Sequence, residues 1–535
     1  MTLKRSNFVV VLLLSLLFLV QFPVDAQQSI LSEADELIET GLYVEAINLL
    51  EPLVEEKHPE AIFLTGFSMM SREVNMQEAI EMLQRATELY PLQDDSKNDD
   101  ETLEAHFFLA QAYRLNEETG RARDKFQRLK EFTSDAEILE EIDQEIQFCN
   151  NFDQLKKEPV EMEIEHLGKN LNSPHYDHSP VILHDESTVY FTSNRPLESQ
   201  DADGPYFENI FESQWRNGQW TEPEVLDIPG DPLAHRATVG LTPDGQGLVF
   251  FQNDGQNGSL FITRRTFDGW KDPEPLPAPI NSNHHESHAS FSNNGNTIYF
   301  SSDRPGGMGG KDIYISHKLP DGSWGEPLNA GENINTPHDE EGPFIHADNE
   351  TLYFSSDGHN SMGGYDIFKS EKDENGEWGP AQNMGYPINT ASDDLFFMPT
   401  PNNQRVYYAT HRENNMGRTD LYLLRFPETD ERSMSVVSSH IYDHEEDPAE
   451  KAVIRITDKA SNEPLGTYRI NPSSGKFVAI VPAAKEYELI IECEKHKPHK
   501  QSFNLKNTDD YKTKERAVYL PPVILEKVRE DEKDK

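Results

Sequence analysis

Five positions recur at one place in a repeated stretch of this sequence, and four of them carry a carboxylate: Asp177, Glu286, Glu340 and Asp394, with Arg236 at the fifth. Tyr176, His235, His285, Asp339 and Asp393 stand immediately before them. Acids and imidazoles gathered around one axis have two chemical uses. They can hold a hard cation through oxygen ligands, or engage a sugar between carboxylates. A structural use competes with both: a carboxylate opening a strand can accept backbone N–H groups beside it, with water filling the channel. A position kept in every repeat serves the repeat first. The ring of Asp177, Arg236, Glu286, Glu340 and Asp394 is therefore the candidate ligand-binding set, with a framework role expected for it.

The remaining polar motifs read as framework. His284-His285-Glu286-Ser287-His288 resembles a metal cluster in isolation, but it aligns with Pro337-His338-Asp339-Glu340 and is assigned to the repeat, not to a metal. Asp312, Asp366 and Asp420, with Asn209, each follow a tight turn and suit turn capping. Arg195, Arg304 and Arg412 recur after the second strand and are expected to pair locally. The chain has no Gly-x-Ser-x-Gly elbow, no His-Glu-x-x-His and no phosphate loop. No catalytic, cofactor or metal residue is assigned, and an enzyme is not expected.

The elements that must position these residues follow from internal repetition. Trp220, Trp270, Trp324 and Trp378 are spaced 50, 54 and 54 residues apart. An Asn-containing corner comes next (Ile280-Asn281-Ser282, Ile334-Asn335-Thr336, Ile388-Asn389-Thr390, and Leu171-Asn172-Ser173), then a β-rich run such as Ile298-Tyr299-Phe300 or Leu352-Tyr353-Phe354. Each unit holds about four short strands between Gly, Asn, Asp and Pro turns, and a period near 50 is propeller spacing. Five units are expected over 160–428. Val160 to Ile164 is expected to complete the last one, closing a ring without exposed edges.

Before the repeats, 27–155 is rich in Ala, Leu and Glu and nearly free of Gly, so it reads as helical hairpins. Ala46 and Ala79 lie 33 residues apart, and Asp94 to Asp100 forms an acidic loop. After the repeats, 436–526 alternates apolar and polar residues in about seven strands, expected as a small antiparallel sandwich, and 527–535 is a charged tail. Lys4-Arg5, the apolar run Phe8 to Val20 and Ala26 read as a secretory signal over 1–26. The mature chain is then expected in the periplasm or at the outer membrane, with no transmembrane anchor after cleavage. The two cysteines, Cys149 and Cys493, fall in separate regions and form no disulfide framework. With 48 basic against 95 acidic residues, a net charge of −47 excludes nucleic acid as a partner.

The residues quoted carry a family resemblance. Residues 27–155 resemble tetratricopeptide repeats; 160–428 resemble the WD40-like repeats of Tol-type periplasmic propellers. Residues 436–526 resemble the carboxypeptidase-regulatory-like (transthyretin-like) sandwich, notably in Ser474-Gly475-Lys476-Phe477 followed by Tyr487-Glu-Leu. This order resembles Bacteroidota envelope proteins, some of them associated with type IX secretion, many of which end in an OmpA-like domain that this sequence lacks. The resemblance implies a multidomain α + β fold: helical repeats, five-bladed WD40-like propeller, transthyretin-like sandwich. It also implies a non-enzymatic envelope scaffold, binding envelope proteins through the helical groove and propeller faces. The alternative is recognition or hydrolysis of a glycan, peptidoglycan or polysaccharide, by the axial carboxylates.

Overall fold

The computed structural model describes residues 24–93, 98–197, 207–231, 234–253, 258–412, 414–427, 434–505 and 516–528. The expected leader (through residue 23), parts of the acidic loop and the charged tail (from residue 529) lie outside them. The chain divides into two compact units, Met1–Ile142 and Asp143–Lys535.

The first unit is helical: α1 (Val24–Glu39), α2 (Tyr43–Glu55), α3 (Pro59–Ser71), α4 (Met76–Leu89), α5 (Asp100–Leu115), α6 (Thr119–Leu129) and the start of α7 (Ala136–Leu155). Consecutive helices from α1 to α6 pack on one another. Small residues make the approach close: a Cβ on Gly66 of α3 would stand 2.9 Å from Leu83 of α4, and Ala46, Ala79, Ala105 and Ala122 are fully buried. Asp99 caps α5 by accepting from the Thr102 N–H at 3.0 Å.

In the second unit, five short antiparallel sheets stand around an axis as blades. Their inner strands are Asp177–Ile182, Arg236–Leu241, Glu286–Phe291, Glu340–Ile345 and Asp394–Pro399 (blades 1 to 5). Each inner strand touches the next, and the fifth touches the first, so the ring is closed. The closing strand is Glu163–His166, slightly later than expected, paired antiparallel with Asp420–Arg425 of blade 5. The repeated asparagine explains itself: Asn281, Asn335 and Asn389 each accept from and donate to the backbone of the preceding blade's third strand, at Leu260, Ile313 and Ile367. The side chain acts as one more rung of the ladder. The tryptophans glue blades, with Trp270 on Tyr190, Trp378 on Tyr299 and Trp220 on Tyr407, ring centroids 6.0, 6.0 and 6.3 Å apart.

A sandwich follows. One sheet contains Met434–Tyr442, Lys476–Pro482, Val518–Tyr519 and Val523–Ile524; the other contains Val453–Asp458, Pro464–Arg469, Glu486–Glu492 and His499–Asn504. Alternate residues such as Ile454, Ile456, Leu489 and Ile491 are fully buried between them. The sandwich seats on the ring where the inner strands end. Lys476 pairs with Asp185, Arg516 donates to the Glu186 carbonyl at 2.6 Å, and Ile480 packs against Ala347.

The expected fold class is corrected in three respects. The chain is mostly β, its seven helices confined to the region before Lys156 among the described residues. Tetratricopeptide repeats are not seen: the 33-residue interval from Ala46 to Ala79 lengthens to 43 at Ala122 because Tyr90–Asp99 intervenes, and helices vary from 11 to 20 residues. The WD40-like character expected of the blades is not seen either. Three strands per blade are of six to eight residues, while the outer strands of blades 1 to 4 are only two residues long, as at Leu328–Asn329 and Gln382–Asn383.

Candidate functional site

The four repeated acids do not line an open channel. Asp177, Glu286, Glu340 and Asp394 are fully buried and Arg236 is 8% exposed. Each acid is turned into the corner of its own blade. Asp177 accepts from the Ser173 N–H at 2.6 Å and Arg195 at 2.5 Å; Glu286 accepts from the Ser282 N–H at 2.9 Å and Arg304 at 3.0 Å. Glu340 and Asp394 take the same contacts from Thr336 and Thr390. Arg236 donates to the carbonyls of Ile228 and Pro229. The expected axial ligand ring is therefore corrected to a set of corner locks. Glu340 has no arginine, since Gly358 stands where Arg195 and Arg304 stand, and burial pushes its carboxyl up to about 8. Burial pushes Asp394 up to about 7, against Thr410 and the charge of Arg412.

Just past each lock, the inner strand bulges. Register shifts occur after His178, Thr238, Glu286, Glu341 and Leu395, one in every blade. A bulge re-aims the residues beside it. Here the re-aimed side chains meet at the axis. The Phe396 ring of blade 5 lies 5.2 Å from His288 of blade 3, two blades that are not neighbours, and 5.6 Å from His178 of blade 1. Tyr176 stacks on His178 at 4.4 Å. Phe396 holds φ at 58°, a left-handed conformation that bulky residues adopt only where their surroundings enforce it.

Carboxylates flank this ladder of rings. His178 has Nε2 3.1 Å from Glu208 Oε1 and Nδ1 2.8 Å from Ser179 Oγ, which fixes the imidazole. His288 Nδ1 lies 3.5 Å from Glu341 Oε2, and Lys311 pairs with the same carboxylate. Burial pushes His288 down to about 4, so the ring is neutral at pH 7. Burial works against the Glu341 carboxylate, but His288 and Lys311 outweigh it and hold the group below its usual range. Glu208 is likewise held low, burial being outweighed by the hydrogen bond and charge of His178, with His235 adding to it. The Tyr365 phenol, pushed up by burial and then by Glu341 and Asp339, stays protonated and donates to Asp339 Oδ2 at 3.3 Å.

Of the residues singled out in the sequence, His288 belongs to this cluster and Tyr176, His285 and Asp339 border it, and the five lock positions do not. His178, Glu208, Lys311, Glu341, Tyr365 and Phe396 were not singled out. A signal for four residues existed. The lock position is acidic in four repeats, whereas the next two positions hold His178, His288, Glu341 or Phe396, a different outfit in each blade.

No family model matches the chain, and no curated protein matches it. Solved structures resemble about half of it. A glycosyl hydrolase from Bacteroides ovatus is 9% identical, with 51% of this chain and 95% of that chain covered at a TM-score of 0.32. An α-L-arabinofuranosidase from Lactobacillus brevis is 12% identical, covering 50% and 94% at 0.34. An N-acetylgalactosamine deacetylase from F. plautii, in complex with blood group B trisaccharide, is 11% identical, covering 50% and 92% at 0.31. The expectation of a non-enzymatic chain is withdrawn. Its premise, the lack of local catalytic motifs, fails physically, because glycoside chemistry asks for two carboxyls brought together by the fold and no contiguous signature. The tetratricopeptide, type IX secretion and outer-membrane associations are withdrawn as well.

Proposed function

We propose that the protein is glycan-active, with the axial cluster as its sugar site and Glu208 and Glu341 as the carboxylates set to work on the bound sugar. One observation carries this reading: rings from blades 1, 3 and 5 meet at the axis, between two ionised carboxylates. A sugar presents apolar C–H faces that stack on rings and hydroxyls that donate to carboxylates, and such a cluster supplies both. Lys311 adds donors for ring or acetal oxygens. Cleavage of a glycoside needs one carboxyl protonated. A sugar covering Glu341, whose side chain is 12% exposed, would desolvate it and raise it toward that state.

The site belongs, on this reading, to an exported chain acting in the periplasm, as Lys4-Arg5 and the apolar run Phe8 to Val20 suggest. No helix among the described residues is long and apolar enough to cross a membrane. The test is a glycan array followed by calorimetry and a reducing-sugar assay on the best ligand. Phe396→Ala and Glu341→Gln should each weaken binding at least about 10-fold with the melting transition retained. Binding that survives both changes would exclude the axial cluster as the sugar site.

A further inference from the structure

The sandwich holds a second constellation, remote from the axial cluster in sequence and assigned by none of the reasoning above. Asp443 and His444 follow the strand Met434–Tyr442, and His496 sits in the turn after Glu486–Glu492. One ligand atom from each lies within 4.8 Å of the others. The two imidazoles are the informative pair. His496 Nδ1 lies 2.9 Å from the Glu494 carbonyl, which can only accept, so Nδ1 carries the hydrogen and Nε2 is bare. His444 Nε2 lies 3.5 Å from Glu445 Oε1. His444 Nδ1 and His496 Nε2 stand 3.1 Å apart, a spacing one hydrogen bond spans when His444 Nδ1 carries the hydrogen. In the other His444 tautomer, with the hydrogen on Nε2, both nitrogens offer a lone pair to one cation.

We propose that Asp443, His444 and His496 bind a divalent transition-metal ion of the zinc class. Two nitrogens on a tetrahedral ion at about 2.05 Å lie about 3.3 Å apart, close to the spacing found. Asp443 Oδ1 is already fixed by the N–H groups of Glu445 and Asp447, at 2.8 and 3.1 Å, which orients the carboxylate and leaves its other oxygen for the ion. Contacts of this kind to the far atoms of ligands are the usual support of a metal site. Glu445, Glu446, Asp447 and Glu494 surround it with negative charge, and imidazole donors select zinc-class ions over calcium.

Tag-free full-length protein titrated with Co(II), read by visible absorption and then by displacement with Zn(II), tests the site. One equivalent should bind. His444→Ala and His496→Ala should each weaken uptake at least about 10-fold, while His288→Gln in the axial cluster leaves it unchanged. Zn(II) should raise the melting temperature of the parent protein and not of the variants, whose metal-free melting shows whether they fold. Equal uptake by the parent and the His444→Ala/His496→Ala double variant would overturn the proposal, whatever becomes of the sugar site.

Discussion

Asn172 and Leu421, 249 residues apart, are hydrogen-bonded twice: the Leu421 N–H donates to Asn172 Oδ1 at 2.7 Å, and Asn172 Nδ2 donates to the Leu421 carbonyl at 3.0 Å. The same pair of bonds joins Asn335 to Ile313 within the ring, so closure reuses the joint of the repeat. Asn172→Ala strands two buried backbone groups, and a loss of about 2–4 kcal/mol is expected. Denaturant unfolding followed by tryptophan fluorescence measures it. A loss below about 0.5 kcal/mol would mean that the Glu163–His166 strand closes the ring without help.

Glu340 sets a pH dependence of known sign. Its carboxyl titrates at about 8 in the folded chain against 4.5 for the free group. The folded state therefore keeps a proton that the unfolded state releases, and this contribution to stability is full below pH 4.5 and lost as pH rises through 8. Glu340→Gln should flatten the decline between pH 5 and 8. Melting curves across that range decide it, and an unchanged slope would count against a protonated Glu340.

His288 acts in the opposite sense. Pushed down to about 4, it stays neutral in the fold while an unfolded histidine takes up a proton near 6.5. Stability from this group is full above 6.5 and falls as pH drops toward 4. His184, also pushed down to about 4 by burial, adds to the same limb. Replacing His288 with Phe should reduce the acid slope, leaving the shares of His184 and of His106, His359 and His440, which burial also holds low.

How much of this was legible in the sequence can be argued from single residues. Asn281, Asn335 and Asn389 were visible because each blade needs the same joint. The tryptophan spacing was visible for the same reason. The locks Asp177 and Glu286 were visible as repeated acids, and their partners Arg195 and Arg304 as repeated bases. The site was legible only as the changing residues after each lock, because the bulges that bring Phe396, His288 and Glu341 together arise only when five strands crowd one axis. The sandwich cluster was not legible, since Asp443 and His496 lie on opposite sides of several strands in sequence.

Phe396 offers a test of the strain that accompanies such bulges. Glycine adopts φ near 58° freely, whereas alanine does not. Phe396→Gly should therefore be more stable than Phe396→Ala by about 1 kcal/mol, although both lose the ring and both should lose sugar binding. Equal stabilities would show that the bulge costs nothing.

The seat of the sandwich has a consequence for traffic. Ile480 of the sandwich lines one cavity together with Val181, Val239, Phe344 and Met398 of the ring, so the sandwich covers this end of the ring. A polymer can thread only a passage with an entrance and an exit. If the axial cluster binds a sugar as proposed, a glycan entering at His178 and Phe396 leaves by the same side, which suits the tip or a side branch of a long chain.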